Sequence, residues 1–231
     1  MINNTCIKDN YEKALYQIDE AAKRSGRRAE DIKLIAVSKT VDVDRIKELT
    51  ALGVKDLGEN RVQEICEKYD FFEKDINWHL IGQLQTNKVK YIIDKVTMIH
   101  SLDRISLAEE IQKRAKKADK VMDVLVEVNV SGEETKSGIS PTEVLNFVCK
   151  LSELPNIKVR GLMTIAPFFT DIDETRPIFS GLRKLAVDIA KENIHNINMD
   201  FLSMGMSNDF TVAIEEGANI IRIGTKLFGK R

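Results

Sequence analysis

Apolar and polar positions follow two regimes along this chain. Near the start, Tyr11, Leu15, Ile18 and Ala22 recur at four, three and four residues, which predicts an amphipathic helix ended by Ser25-Gly26. Beyond it, short apolar runs without helical period take turns with helical stripes. Residues 33–38 read as a strand buried on both faces, and residues 43–52 as a helix closed by Gly53. Further strands are predicted at 54–57, 78–81, 96–100, 121–130, 157–165, 199–204 and 220–223. Between them the pattern predicts helices to about Phe72, through Ile93, and on the face of Ile105, Ala108, Ile111, Ala115 and Ala118. Ile178, Leu182, Leu185 and Ile189 predict a long helix with Pro177 in its first turn, followed by a helix at 209–216 and a short turn at 225–228. Ser140-Pro141-Thr142-Glu143 offers a helix start with an N-cap serine, a proline at the first position and a glutamate three residues on. That helix would carry Val144, Leu145, Val148 and Leu151 on its apolar face.

The count is eight strands, each followed by a helical segment, joined by short loops. Such alternation calls for a parallel sheet with right-handed crossovers. Eight units in this length fit a single (β/α)8 barrel of the TIM type near its lower size limit. One domain is expected over residues 1–231, with residues 1–26 as a helix resting on the barrel. The rival architecture is an open doubly wound sheet.

Composition narrows the function classes. The chain has 231 residues, 43% apolar and 31% charged, the balance of an ordinary globular protein. A net charge of −1 removes any whole-chain electrostatic case for nucleic acid or an acidic membrane. Cys6, Cys66 and Cys149 are odd in number and far apart, so they read as reduced thiols and not as a disulfide or zinc framework. No apolar run approaches the ~20 residues of a membrane span, and the first residues lack a signal-peptide pattern. A cytoplasmic protein is expected.

In a barrel, chemistry sits just past the strand ends. The residues there are Lys39, Asn60, Gln83, Ser101, Asn129, Met163, the run 203–207 and the run 222–225. Ser207 is placed as the cap of one helix. Gly224 permits close backbone approach, and Thr225 brings a hydroxyl and an N–H at a second helix start. Loops after the seventh and eighth strands are where barrels repeatedly bind phosphate. Closure of the barrel would bring the Lys39 strand beside that of Arg222. A buried lysine next to an arginine has its pKa lowered by desolvation and like charge, and the free amine attacks aldehydes. Lys39 alone reads as a lysine reaching water from a strand end. With the phosphate cup it implies a phosphorylated carbonyl compound held as a Schiff base. A sugar phosphate in a lysine-dependent aldolase and pyridoxal 5′-phosphate (PLP) both fit. Arg222 suits the PLP ring nitrogen, whereas an aldolase would want a carboxylate or second lysine at a mid-barrel strand end, for which Glu127 and Asp123 are candidates if they point inwards.

The chain resembles the pyridoxal phosphate homeostasis protein family from its first helix to its end. The resemblance rests on Ala36-Val37-Ser38-Lys39-Thr40, Gly58-Glu59-Asn60 with Val62-Gln63-Glu64, and the stretch from Trp78 to Lys88. It continues through His100-Ser101-Leu102-Asp103, Lys136-Ser137-Gly138, Gly161-Leu162-Met163, the stretch from Leu202 to Ser207 with Asp209, and Arg222 to Thr225 with Phe228-Gly229. It implies a barrel like the N-terminal domain of alanine racemase, with PLP on Lys39. It further implies phosphate contacts from Ser207, Gly224 and Thr225, Arg222 near the ring nitrogen, and Asn60 and Met204 along the ring. The family role implied is cytosolic control of PLP supply and amino-acid balance, with no established turnover; a monomer is expected, with apo-PLP enzymes as recipients and no efficient catalysis. The alternative is a racemase-like PLP enzyme acting on small amino acids. Alanine racemases add a second domain, which is not expected here because the sequence ends two residues after Gly229. His79 reads as a structural hydrogen-bonding residue that could approach the cofactor, and His195 as solvated, while His100 is ambiguous. The basic run Lys113-Arg114-Ala115-Lys116-Lys117 reads as the solvated face of a helix.

Overall fold

The computed structural model describes residues 6–133 and 135–229. Eight parallel strands close into one barrel in chain order. They are β1 (Lys33–Val37), β2 (Asp56–Glu59), β3 (Asn77–Leu80), β4 (Val96–Leu102), β5 (Met122–Glu127), β6 (Ile157–Met163), β7 (Ile197–Met206) and β8 (Ile220–Ile223). Closure comes from β8 lying against β1, with Arg222 opposite Ile35 and Ile223 opposite Ala36. The expected (β/α)8 barrel is the fold, and the open sheet is not.

Helix α1 (Ile7–Arg24) precedes the barrel and lies against α2 (Val43–Thr50), α7 (Phe210–Glu215) and α8 (Thr225–Phe228). Its buried face is Ile7, Ala14, Ile18, Ala21 and Ala22, while Leu15 is exposed, so the apolar stripe is rotated from the predicted one. The other crossovers carry α3 (Val62–Lys68), α4 (Ile105–Lys117), α5 (Val144–Leu151) and α6 (Arg176–Lys191). Pro177 is in the first turn of α6, as expected.

Two helical expectations are corrected. The segment after β3 is a 3-10 turn, Thr86–Tyr91, because Thr, Asn and Val are weak helix formers and the run is short. Ser140 does not cap α5. Its hydroxyl pairs with that of Thr142 at 3.0 Å, residues 140–143 form a turn, and the helix starts at Val144. Competition from local side-chain hydrogen bonds is the reason. Phe147 takes the buried position on α5, and Leu145 faces out.

β1 is apolar on both faces, which is why residues 33–38 read as an unbroken apolar run. Outward side chains join the helices in one large core. Inward, Ile35, Met98, Leu125, Met163 and Ile220 plug the barrel. Gly161 allows β6 and β7 to approach: a Cβ there would lie 1.9 Å from the Phe201 carbonyl oxygen.

Candidate functional site

Alternation along β1 turns Ile35 into the barrel plug, and Val37 and Lys39 into a cavity at the carboxyl end of the strands. That cavity measures about 420 Å³. Lys39, Asn60, Ser207, Arg222, Gly224 and Thr225 all line it, together with Lys136, Asp209 and an apolar wall that includes Ile81 and Ile165. Met204 stands apart. It is fully buried in the outer core, and Met206, two residues on, reaches the cavity instead. The other strand-end residues do local work. The Ser101 hydroxyl donates to the Gly82 carbonyl at 2.7 Å, the Asn129 amide donates to Glu133 at 2.8 Å, and Met163 belongs to the plug. Gln83 lines a neighbouring groove.

The backbone around Lys39 is gripped from both sides. Lys68 donates to the Ser38 carbonyl at 2.8 Å, to Glu59 at 2.8 Å and to Glu64 at 2.9 Å. The Ser38 hydroxyl donates to Glu59 at 2.7 Å, and the Thr40 N–H donates to Glu64 at 2.6 Å. Thr40 needs that hold, since its φ of 57° is a left-handed conformation that a β-branched residue resists. Burial pushes the Glu59 carboxyl up, opposed by Lys68 and Ser38.

The phosphate-side corner differs from the expected capping. Asp209, not Ser207, is the residue before α7, and its carboxylate accepts the Met206 N–H at 2.6 Å. Burial pushes the Asp209 carboxyl up. The Ser207 hydroxyl instead accepts the Gly224 N–H at 3.2 Å, tying the loop after β7 to the start of α8. Arg222 is buried. It donates to the Ser203 hydroxyl at 2.6 Å and to the Thr164 carbonyl at 2.9 Å. Burial lowers its pKa to about 10, with Asp209 and Glu127 opposing. Glu127 is pushed up to about 7 by burial and by Asp103, against the pull of Arg222.

A primary amine, a buried guanidinium, a hydroxyl-and-glycine corner and apolar walls together suit a small planar aldehyde that carries a phosphate. Sequence reasoning named Lys136 and Asp209 as motif members without a role. Glu59 and Glu64 were named in the same way, but Lys68 and the cluster the three form were missed; the spacing of Glu64 and Lys68 on one helix face was the available signal.

Fold and site define a class, the barrel of alanine racemase type: the family model described as alanine racemase, N-terminal domain, matches residues 14–231. A pyridoxal phosphate homeostasis protein of Aquifex aeolicus (strain VF5) is 51% identical over 229 residues, 99% of each chain. The chain belongs to the pyridoxal phosphate homeostasis protein family. Among solved structures, PipY of Synechococcus elongatus with PLP bound is 34% identical with a TM-score of 0.80, covering 92% of this chain and 100% of that one. An alanine racemase of Clostridium difficile shares the fold at a TM-score of 0.76 and 19% identity, with 96% of this chain and 57% of that one covered.

Proposed function

We propose that this chain binds PLP in the cavity described above and holds and hands on the cofactor within the cell, without efficient turnover of substrates. The observation that carries the reading is the meeting of Lys39, Arg222 and the Ser207–Gly224–Thr225 corner in one cavity. The names of the relatives and the PLP-bound PipY structure support it.

Bound PLP supplies an aldehyde that condenses with a primary amine and a ring that withdraws electrons from it. The chain's own residues supply the rest. Lys39 offers the amine, presented on backbone clamped at Ser38 and Thr40. The Ser207 and Thr225 hydroxyls and the Thr225 N–H would hold phosphate, with Gly224 letting the backbone come close. Arg222 would bring a positive charge to the ring nitrogen. Asn60, Ile81 and Ile165 line the cavity and would flank the ring. The working unit in this reading is one cytoplasmic domain, the barrel with α1 resting on it, acting as a monomer.

Borohydride reduction of the PLP-loaded protein, followed by peptide mapping, should leave the pyridoxyl mass on the peptide that contains Lys39. Label on another lysine, or none, ends the reading. Incubation with an apo-PLP enzyme should then restore that enzyme's activity. A PLP enzyme acting on small amino acids is the second reading, because Lys136 brings another amine to the same cavity.

A further inference from the structure

The barrel interior holds a chain of polar contacts that joins the amino-end mouth to the cavity. At the mouth, Asp56 accepts from Lys33 at 3.2 Å and from Asn77 at 3.3 Å, through the same carboxylate oxygen. That oxygen lies 2.9 Å from His79 Nε2. His79 Nδ1 lies 3.0 Å from His100 Nε2, with the two rings nearly perpendicular. His100 Nδ1 lies 3.0 Å from the Ser203 hydroxyl, and that hydroxyl accepts from Arg222. His79, His100 and Ser203 are all fully or almost fully buried. Strand parity explains the alignment. His79 pairs in register with Met98, His100 follows two residues later on the same face, and Met98 is part of the plug.

Burial lowers the pKa of both rings, and with both neutral the ends of this chain settle every proton in it. An arginine can only donate, and an ionised carboxylate can only accept. Asp56 is ionised: burial pushes its carboxyl up, but His79 and Lys33 more than offset this and hold it below its usual value. His79 must therefore donate from Nε2 and accept at Nδ1. His100 then donates from Nε2 and accepts at Nδ1 from the Ser203 O–H, whose oxygen is left to accept from Arg222. Both rings are neutral in this arrangement, no donor faces a donor, and the direction of every bond is the same. A proton added to either ring would set two N–H groups against each other or turn the Ser203 hydroxyl away from its acceptor.

We propose that Asp56, His79, His100 and Ser203 are positioning residues that hold the Arg222 guanidinium in fixed orientation toward the cofactor. The inference rests on the PLP reading for its consequence, but not for the tautomers. Ser203 acts directly on Arg222, and the histidines act through Ser203.

The test has two arms. In the first, long-range proton–nitrogen spectra of the full-length protein near pH 7 report the ring tautomers, with and without added PLP. His79 and His100 should both be neutral and protonated at Nε2, with the exposed His195 distinguishable from them. An Nδ1 proton or an imidazolium at either position overturns the proposal. In the second arm, His100→Leu, Ser203→Ala and the double variant are loaded with PLP. Each single variant should weaken PLP binding about tenfold, the size of one net hydrogen bond. Each should also shift the visible absorption band and its pH titration, because the charge against the ring nitrogen has moved. The double variant should be no worse than the singles, since one broken link already releases Arg222. Folded variants with an unchanged band and titration, or with additive losses, overturn the proposal. Should His100→Leu fail to fold, Ser203→Ala and the tautomers decide it. Failure of the wild-type protein to bind PLP would remove the function proposed above and leave the tautomer arm standing.

Discussion

Lys68→Met is the most informative single change, because it removes one charge from the buried cluster behind Lys39 and keeps the length and apolar stem of the side chain. Glu59 is fully buried. One of its oxygens has no partner among the described residues, and the other accepts from Ser38 and Lys68. Removing one partner of a buried ion pair costs about 3–5 kcal/mol. The orphaned carboxylate escapes part of that cost by taking a proton. Holding the proton at pH 7 costs about 1.4 kcal/mol for each pH unit above the 4.5 of an ordinary glutamate, or about 3.4 kcal/mol in all. The folded variant then binds more protons than its unfolded chain, so its stability falls as pH rises above that value. At pH 5 the same calculation leaves about 0.7 kcal/mol. Urea denaturation followed by the fluorescence of Trp78, the sole and fully buried tryptophan, reads both values. The variant should lose about 3 kcal/mol more than wild type at pH 7, most of which returns at pH 5. Adding Glu59→Gln should restore stability at pH 7 and abolish the extra pH dependence. A loss of equal size at both pH values, or one below about 1 kcal/mol at pH 7, would refute the reasoning.

Other outcomes follow from the same geometry. Pyridoxal without its phosphate should bind at least about a hundredfold more weakly than PLP, since two charge-assisted hydrogen bonds are worth that much; comparable titration curves would count against the Ser207–Gly224–Thr225 corner. PLP-loaded protein in deuterated water should exchange the α-proton of L-alanine far more slowly than an enzyme does, because a charged Arg222 opposes protonation of the ring nitrogen. Rapid label uptake or accumulation of the D-isomer would favour the racemase-like reading. Glu127, pushed up to about 7 by burial, holds its proton in the folded state over a range where the unfolded chain has lost it. Wild-type stability should therefore fall by as much as about 3 kcal/mol between pH 4.5 and 7 from this group alone. Glu127→Gln should flatten that part of the profile in denaturation curves, and an unchanged slope would show that the group is not buried in this way.

The order of strands and helices was legible along the chain because buried parallel strands are apolar on both faces, while crossover helices are apolar on one. Residues 220–223 and 225–228 match the sequence reading in full. Lys39, Arg222 and Gly224 were legible as residues of the cavity for the same reason, since a polar side chain or glycine at the end of such a run has only the barrel mouth to occupy. The pairings were not. Ser207 bonds to Gly224 and not to its own helix, because the helix starts only at Phe210 and the Asp209 N–H within reach of such a cap donates to the Met206 carbonyl instead. Met204 and Met206 trade places because Gly205, at a φ of 89°, interrupts the alternation of β7. The path from Lys33 through His79 and His100 to Arg222 depends on the stagger of strands around a closed barrel, and the register shift between β3 and β4 is part of it. Residue pattern along one strand determines which face a side chain takes. Which side chain it meets on the next strand is decided only by barrel closure, and local sequence carries no record of that.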